Sequence, residues 1–289
     1  MRSLRFCASP SSVKAAVPAL AGALALTTLL AAALGVRAST SARTLHAPRL
    51  AAASAEASTN WAGYAVTSPD TTTPMSFSSV TGTWTQTTAT CGAADANAAS
   101  AAWVGLGGYS LTSLAVEQIG TDADCTANGK GSYYAWYELV PGPRVKLALP
   151  VRPGDLVTAS VSVVGTGLVL QLRNRTRNAL VTERVTPAGP LDLSSAEWIA
   201  EAPSLCAASC RPLPLADFGA VTFSRIAAVG NRVAGTLTAP TWSAVPLRLV
   251  PRPGSATPAG TAPPSLAAPD GRSFTVAWLA DATASAPAG

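Results

Sequence analysis

Residues 156–173 read Leu-Val-Thr-Ala-Ser-Val-Ser-Val-Val-Gly-Thr-Gly-Leu-Val-Leu-Gln-Leu-Arg. On an extended chain, Val157, Ala159, Val161 and Val163 project to one side. Leu156, Thr158, Ser160, Ser162 and Val164 project to the other. A period of two with one fully apolar face describes a strand buried on one side. Gly165-Thr166-Gly167 then supplies a hairpin connection. Leu168, Leu170 and Leu172 resume the alternation against Val169, Gln171 and Arg173, and Pro153-Gly154-Asp155 is the turn that enters the pair.

The same grammar extends in both directions. Short runs rich in Val, Thr and Leu recur at 80–88, 181–185, 220–223 and 274–278, bounded by Gly, Pro, Asn and Ser. No long helical period follows residue 58. Many short strands with regular turn signals predict an all-β fold, an antiparallel two-sheet β-sandwich. Residues 246–271 contain seven prolines and read as a long loop. It leads to a last strand in which Phe274, Val276 and Trp278 share a side.

Composition narrows the function. The chain has 289 residues, 12% of them charged, with 23 Gly and 23 Pro, which excludes charge-rich disorder, a coiled coil and collagen. The formal charge of +5 is unevenly placed: residues 1–57 hold six basic residues and one acid, leaving 14 of each sign beyond. The body is therefore formally neutral, and nucleic acid is excluded as a partner. His46 is the single histidine of the chain. If the front is removed, Ser-His-Asp and Cys-His catalysis and His-ligated zinc are all excluded.

The front reads as an address. Arg2, Arg5 and Lys14 precede an uncharged stretch, 15–36, followed by the small-residue patterns Val36-Arg37-Ala38 and Thr40-Ser41-Ala42. Residues 1–42 are expected to be a secretory signal, 43–57 a short propeptide or linker, 58–280 one domain and 281–289 a tail. An uncleaved membrane anchor is the alternative for 15–36. In a secreted protein the four cysteines beyond the signal pair as disulfides. Cys91 with Cys125 and Cys206 with Cys210 each close a local loop and are the expected pairs. Four-thiolate metal binding fits poorly, because only Cys206 and Cys210 are closely spaced. In a propeptide, Arg43, His46 and Arg49 would pair with acids of the site at neutral pH and release them on acidification.

Strand parity sorts the polar residues embedded in aromatic context. Gln118 shares a face with Leu114, Val116 and Gly120, while Glu117 faces the other way with Ala115 and Ile119. Tyr134, Trp136 and Glu138 lie together, as do Glu197, Ile199 and Glu201. One sheet face carrying Gln118, Glu138, Glu197, Trp136 and Tyr134 would be a polar-aromatic groove for an extended polymer. Taken singly, each of these residues has an ordinary structural explanation as core or surface.

Six blocks occur in order: Ser58-Thr59-Asn60-Trp61-Ala62-Gly63-Tyr64, Trp103-Val104-Gly105-Leu106-Gly107-Gly108, Glu117-Gln118-Ile119-Gly120, Tyr134-Ala135-Trp136-Tyr137-Glu138, Pro153-Gly154-Asp155, and Ser195-Ala196-Glu197-Trp198-Ile199-Ala200-Glu201. Together they resemble the glutamic peptidases, or eqolisins, over roughly residues 58–280. The resemblance implies a lectin-like sandwich (concanavalin or jelly-roll type) and acid endopeptidase activity. It implies a dyad of Gln118 and Glu197, on neighbouring strands, with no metal or cofactor. Trp103 and Glu138 match positions lining that family's cleft and are expected to bind substrate or support the site; Trp61 also matches a family position, with substrate binding or core packing as its role. Glu201 is expected to support the fold. In fungal members an Asp follows the Trp-Val-Gly-hydrophobic run; Gly107 stands here, so no carboxylate is expected at that place. Ile119 replaces a Thr after the dyad Gln.

The chemistry stands without the family. Glu197 takes a proton from water, Gln118 donates to the oxyanion, and protonated Glu197 protonates the leaving nitrogen. The rival readings are a glycoside hydrolase on a similar sandwich and a non-catalytic sugar- or peptide-binding module. Glu197 and Glu201 lie four residues apart on one strand, about 13 Å, wider than the ~5–10 Å that paired glycosidase carboxylates need. The expected partners are peptide or protein substrates, with no membrane contact after signal cleavage and a monomeric, extracellular enzyme.

Overall fold

The fold is a computed structural model, and it describes residues 55–92, 95–110, 112–206, 210–251 and 260–280. The expected signal, most of the propeptide and the tail lie outside these residues. Every named element is a strand. No helix among the described residues is long and apolar enough to cross a membrane.

Two sheets face each other. The larger orders its strands β1 (Glu56–Ser58), β16 (Ser243–Leu249), β2 (Trp61–Thr67), β11 (Ser195–Glu201), β4 (Ala101–Leu106), β5 (Val116–Cys125), β6 (Gly131–Val140) and β7 (Val145–Lys146). The smaller orders β10 (Ala179–Val185), β9 (Gly167–Asn174), β8 (Leu156–Val164), β3 (Phe77–Thr85), β14 (Ala220–Gly230) and β15 (Val233–Gly235), and β17 (Ser273–Ala277) pairs with β14. A ribbon of β12 (Ser204–Cys206) and β13 (Cys210–Pro212) stands apart. All pairings between the named strands are antiparallel except β1 with β16.

The strand pair read first behaves as its sequence dictates. Val164 pairs with Gly167 across a tight turn, and Gly165 takes φ +62°, a conformation that glycine adopts without steric cost. Val157, Ala159, Val161, Leu168, Leu170 and Leu172 are buried between the sheets with Phe77, Trp84, Trp198 and Phe223. Trp198 projects inward from β11, and its Nε1 donates to the Thr81 carbonyl at 2.7 Å. That bond ties the larger sheet to β3 at the strand bearing Glu197.

The region from 246 onward departs from the expected loop. β16 runs through Pro246 to Leu249, beside β2. After 252–259, which lie outside the described residues, the chain returns in short bridges before β17. Phe274 and Val276 are buried, as the alternation predicts, and Phe274 stacks on Phe223 at 5.2 Å. Cys91 and Cys125 form a disulfide that pins the stretch after β3 to the end of β5. The backbone of Cys206 pairs with that of Cys210; their side chains lie outside the described residues.

Candidate active site

The face of the larger sheet turned away from the core carries a second hydrophobic cluster: Trp61, Ala65, Ala101, Trp103, Val116, Trp136, Ile199 and Leu247. Directly paired residues project to the same face. Glu197 pairs with Ala65 on one side and Gly105 on the other. Gly105 pairs with Gln118, and Gln118 with Glu138. One row therefore crosses four strands as Glu197, Gly105, Gln118, Glu138. Gln118 and Glu197 are not on neighbouring strands: β4 lies between them, so their Cα atoms are separated by two strand spacings, about 9.6 Å. The residue between has no side chain. Gly105 is the floor between the two long polar side chains, and Trp103 Cζ3 lies 2.9 Å from where its Cβ would stand.

Glu197 is fully buried, and neither carboxylate oxygen has a hydrogen-bond partner among the described residues. Burial pushes its pKa well above the ordinary glutamate value; the Ser195 hydroxyl, two residues back on the same face, pulls it down in part without reaching hydrogen-bond geometry. The charges of Asp192 and Glu117 raise it further. A buried carboxyl with no partner is costly in the ionised state and is primed to bind a proton donor such as water.

Gln118 is oriented by its other neighbour. Its Nε2 donates to Glu138 Oε2 at 3.0 Å, and Glu138 is fully buried. An amide nitrogen has two hydrogens, so this bond fixes Nε2 and leaves one N–H for a ligand. Glu138 thus acts on the amide, rather than standing only as a wall for substrate.

Trp103 and Trp61 lie on the same face but are buried, packed edge to face at 5.0 Å. Trp103 Nε1 donates to Glu201 Oε2 at 2.7 Å, and Asn60 Nδ2 donates to Glu201 Oε1 at 3.4 Å. Burial pushes Glu201 up to about 7 against the pull of Arg144 and Trp103. Farther along, Asp122 receives the Trp136 Nε1–H, the Tyr134 hydroxyl at 2.6 Å and the Arg144 guanidinium. Arg144 also sits 3.8 Å from the centre of the Trp136 ring. These aromatic residues are therefore held by buried acids, which is how a sheet face built from tryptophans stays ordered.

Parity brings Gln118, Glu138, Glu197, Trp136 and Tyr134 to one face, as the sequence predicts. It misses three participants. Gly105 is chosen by pairing register, which a single strand does not display. Arg144 arrives from the turn after β6. Asp192 arrives from the loop before β11 and corrects the expectation at Gly107. Gly107 adopts φ +77°, and a Cβ built there would meet Asp192 Cβ at 2.6 Å and Cγ at 3.0 Å. The carboxylate missing from position 107 is supplied by another segment. Asp192 Oδ2 accepts from the Gly108 N–H at 3.0 Å and from the Ser113 hydroxyl; Oδ1 accepts from the Ser194 N–H at 2.9 Å. No group of three or more metal-ligating side chains occurs among the described residues.

Comparison with known proteins places this geometry in context. The model of the Peptidase A4 family matches residues 59–246, which contain every residue of the row. A scytalido-glutamic peptidase solved with a transition state analogue inhibitor superposes at TM-score 0.62 and 24% identity, covering 76% of this chain and 98% of that one. SCP-B, a member of the eqolisin family solved with the tripeptide Ala-Ile-His, gives TM-score 0.59 with the same identity and coverage. Aspergilloglutamic peptidase from Aspergillus niger gives 0.50 at 24% identity, covering 63% of this chain and 99% of that one. At this identity the likeness shows the sandwich fold. No curated protein matches the chain.

Proposed function

Since this chain belongs to the Peptidase A4 family, and is a peptide-bond hydrolase, we propose that it is a secreted acid endopeptidase working through Gln118 and Glu197. The observation that carries this reading is the row Glu197, Gly105, Gln118, with a glycine as the floor between an acid that has no hydrogen-bond partner among the described residues and an oriented amide.

Glu197 in its ionised form draws a proton from a water on that floor, and the oxygen attacks the scissile carbonyl. The free N–H of Gln118 donates to the oxygen as it becomes negative, and Glu138 holds the amide in that pose. Protonated Glu197 then passes its proton to the leaving nitrogen. Its raised pKa suits both halves: the carboxylate is a stronger base than an exposed glutamate, and its acid form persists at low pH. A bound water supplies hydrogen bonds that the carboxylate otherwise lacks, which brings its pKa down toward the working pH.

Asp192, buried but held below the ordinary aspartate value by its hydrogen-bond donors, keeps the loops on either side of the row together. The Cys91–Cys125 disulfide supports an oxidising, extracellular setting. We read the enzyme as a monomer acting on peptide substrates, exported by residues 1–42. Incubation with denatured casein at about pH 3–5, which brackets the ordinary glutamate pKa, tests the reading. Cleavage that persists with a broad aspartic-peptidase inhibitor is expected; absence of cleavage across that range would remove it.

A further inference from the structure

The hydroxyl of Tyr134 lies between two acids, 2.6 Å from Asp122 Oδ2 and 3.1 Å from Asp124 Oδ2. A phenol has one hydrogen, so it donates to one of them and accepts from the other. Asp122 is where it donates. The Trp136 Nε1–H points at Asp122 Oδ1 and the Arg144 guanidinium at Oδ2, so each oxygen of that acid already receives a hydrogen. Tyr134 then accepts from Asp124, and the proton stands on Asp124 Oδ2. Asp124 Oδ1 is buried with no hydrogen-bond partner among the described residues, which suits a neutral carboxyl and penalises a charged one.

We infer that Asp124 is a positioning residue: as a neutral acid it closes a chain of contacts, Asp124 to Tyr134 to Asp122 to Arg144, that holds Trp136 and the Glu138 acceptor of Gln118 in place, and loss of its proton opens that chain and stops turnover. The inference rests on the peptidase reading above. Asp122 and Asp124 alternate along β5 with Gln118 and Gly120, so all four share the face of the dyad row. Tyr134, Trp136 and Glu138 do the same on β6. Arg144 joins the two sets. It forms an ion pair with Asp122 and covers the Trp136 ring, 3.8 Å from its centre. Burial lowers the pKa of Arg144, and the charges of Asp122 and then Glu138 raise it by more. Glu138 in turn accepts the Gln118 Nε2–H at 3.0 Å.

Ionisation of Asp124 upsets this balance. Two carboxylates then face one phenol hydrogen, and the contact at 3.1 Å turns from a hydrogen bond into a repulsion. The charged groups that bear on Asp124 are Asp122, Arg144 and Lys146, whose ammonium lies 3.7 Å from the centre of the Tyr134 ring. Glu201, in line with Asp122 across Ala101, bears on Asp122 and Arg144 from β11. A new negative charge at Asp124 draws Arg144 toward it and away from Glu138. Burial and then Asp122 push Asp124 up to about 8, and two acids this close give up their protons as a pair. The chain of contacts therefore opens as the solution turns alkaline.

The test follows the aspartate carboxyls of the wild-type chain, labelled with carbon-13 at that atom, by NMR. A carboxyl step centred near the value of about 8 is expected, and the Trp136 indole N–H and the Gln118 side-chain amide should shift in the same step. Asp124→Asn, whose amide N–H still donates to Tyr134 but does not titrate, should lose that step. The kinetic arm is the alkaline side of the kcat profile on a peptide. One pH unit above the wild-type midpoint, Asp124→Asn should retain about tenfold more of its own plateau rate than the wild type, because loss of a single proton no longer stops it. A wild type with no aspartate carboxyl titrating above about pH 6, two units past the ordinary aspartate value, overturns the inference. So does an Asp124→Asn that keeps the step, or an alkaline midpoint that the substitution leaves unmoved. A chain that cuts no peptide at any pH defeats the peptidase reading instead. The Gln118 signal then decides: a shift shared with the carboxyl step supports the inference, and a flat signal overturns it.

Discussion

Adding one methyl group at Gly105 probes the floor between the two reacting side chains. A Cβ there would lie 2.9 Å from Trp103 Cζ3, 3.1 Å from the Glu117 carbonyl oxygen and 3.2 Å from Gln118 Cβ. None of the three yields cheaply. The Trp103 ring is held through Nε1 by Glu201 at 2.7 Å and is packed on Trp61. The carbonyl belongs to a central strand, and Gln118 is tied to Glu138. Overpacking of this kind costs about 1–3 kcal/mol, a fall in Tm of about 2–12 °C for a domain of this size. Activity should suffer more than stability, because the methyl displaces the water and pushes the amide. A shift near 1 Å at such a site costs on the order of 10²-fold in rate. The assay is kcat on a quenched fluorescent peptide, run well below the Tm found by thermal unfolding of the same preparation. Gly105→Ala with activity within about threefold of wild type would refute the claim that catalysis occurs over that residue.

Three further outcomes follow from the same geometry. Glu138→Ala removes the acceptor that orients Gln118, so kcat should fall about 10- to 100-fold, the lower part of the range for catalytic groups, while Tm stays within a few degrees; unchanged kcat would show that the amide orients itself. Replacing Cys91 and Cys125 by Ala opens a link spanning 34 residues, and denaturant unfolding should show a loss of about 3–4 kcal/mol; a loss under 1 kcal/mol would mean the linked segments are already close in the unfolded chain. The third outcome concerns pH. Glu117 and Asp124 are pushed up to about 8 and Glu201 to about 7, so the folded state binds more protons than the unfolded one, and stability should fall by a few kcal/mol as pH rises from about 4.5 to 8. Asp155 and Asp192 are lowered, and their contribution is lost below about pH 4. Calorimetry should find the highest Tm near pH 4–5; a Tm that rises from pH 5 to 8 would contradict this.

What was legible in the chain depended on how many sides of each strand meet water. β8 and β9 bury one face and β10 half-buries one, so their alternation is written in the sequence, and the pairing of β8 with β9 could be read from the turn between them. β11 is buried on both faces, and its polarity pattern says nothing of its central place; Glu197 and Glu201 show only a shared side. β14 runs well beyond residue 223 because a register shift between Ser224 and Ala227, with Arg225 at φ +51°, breaks the alternation before it resumes. The face of each site residue was legible, because parity is a local property. The intervening β4, the glycine floor and the arrival of Asp192 over Gly107 were not, because each depends on which distant segments lie side by side.

Replacement of the acid itself tests the central claim most directly: kcat of Glu197→Gln on a peptide substrate at the acid optimum, with the fold checked by thermal unfolding. Loss of the group that moves both protons should lower kcat by about 10²–10⁴-fold while the Tm is kept or raised, since the substitution removes an unpartnered buried acid. Turnover within tenfold of wild type by a folded Glu197→Gln would show that the proton is carried by some other group.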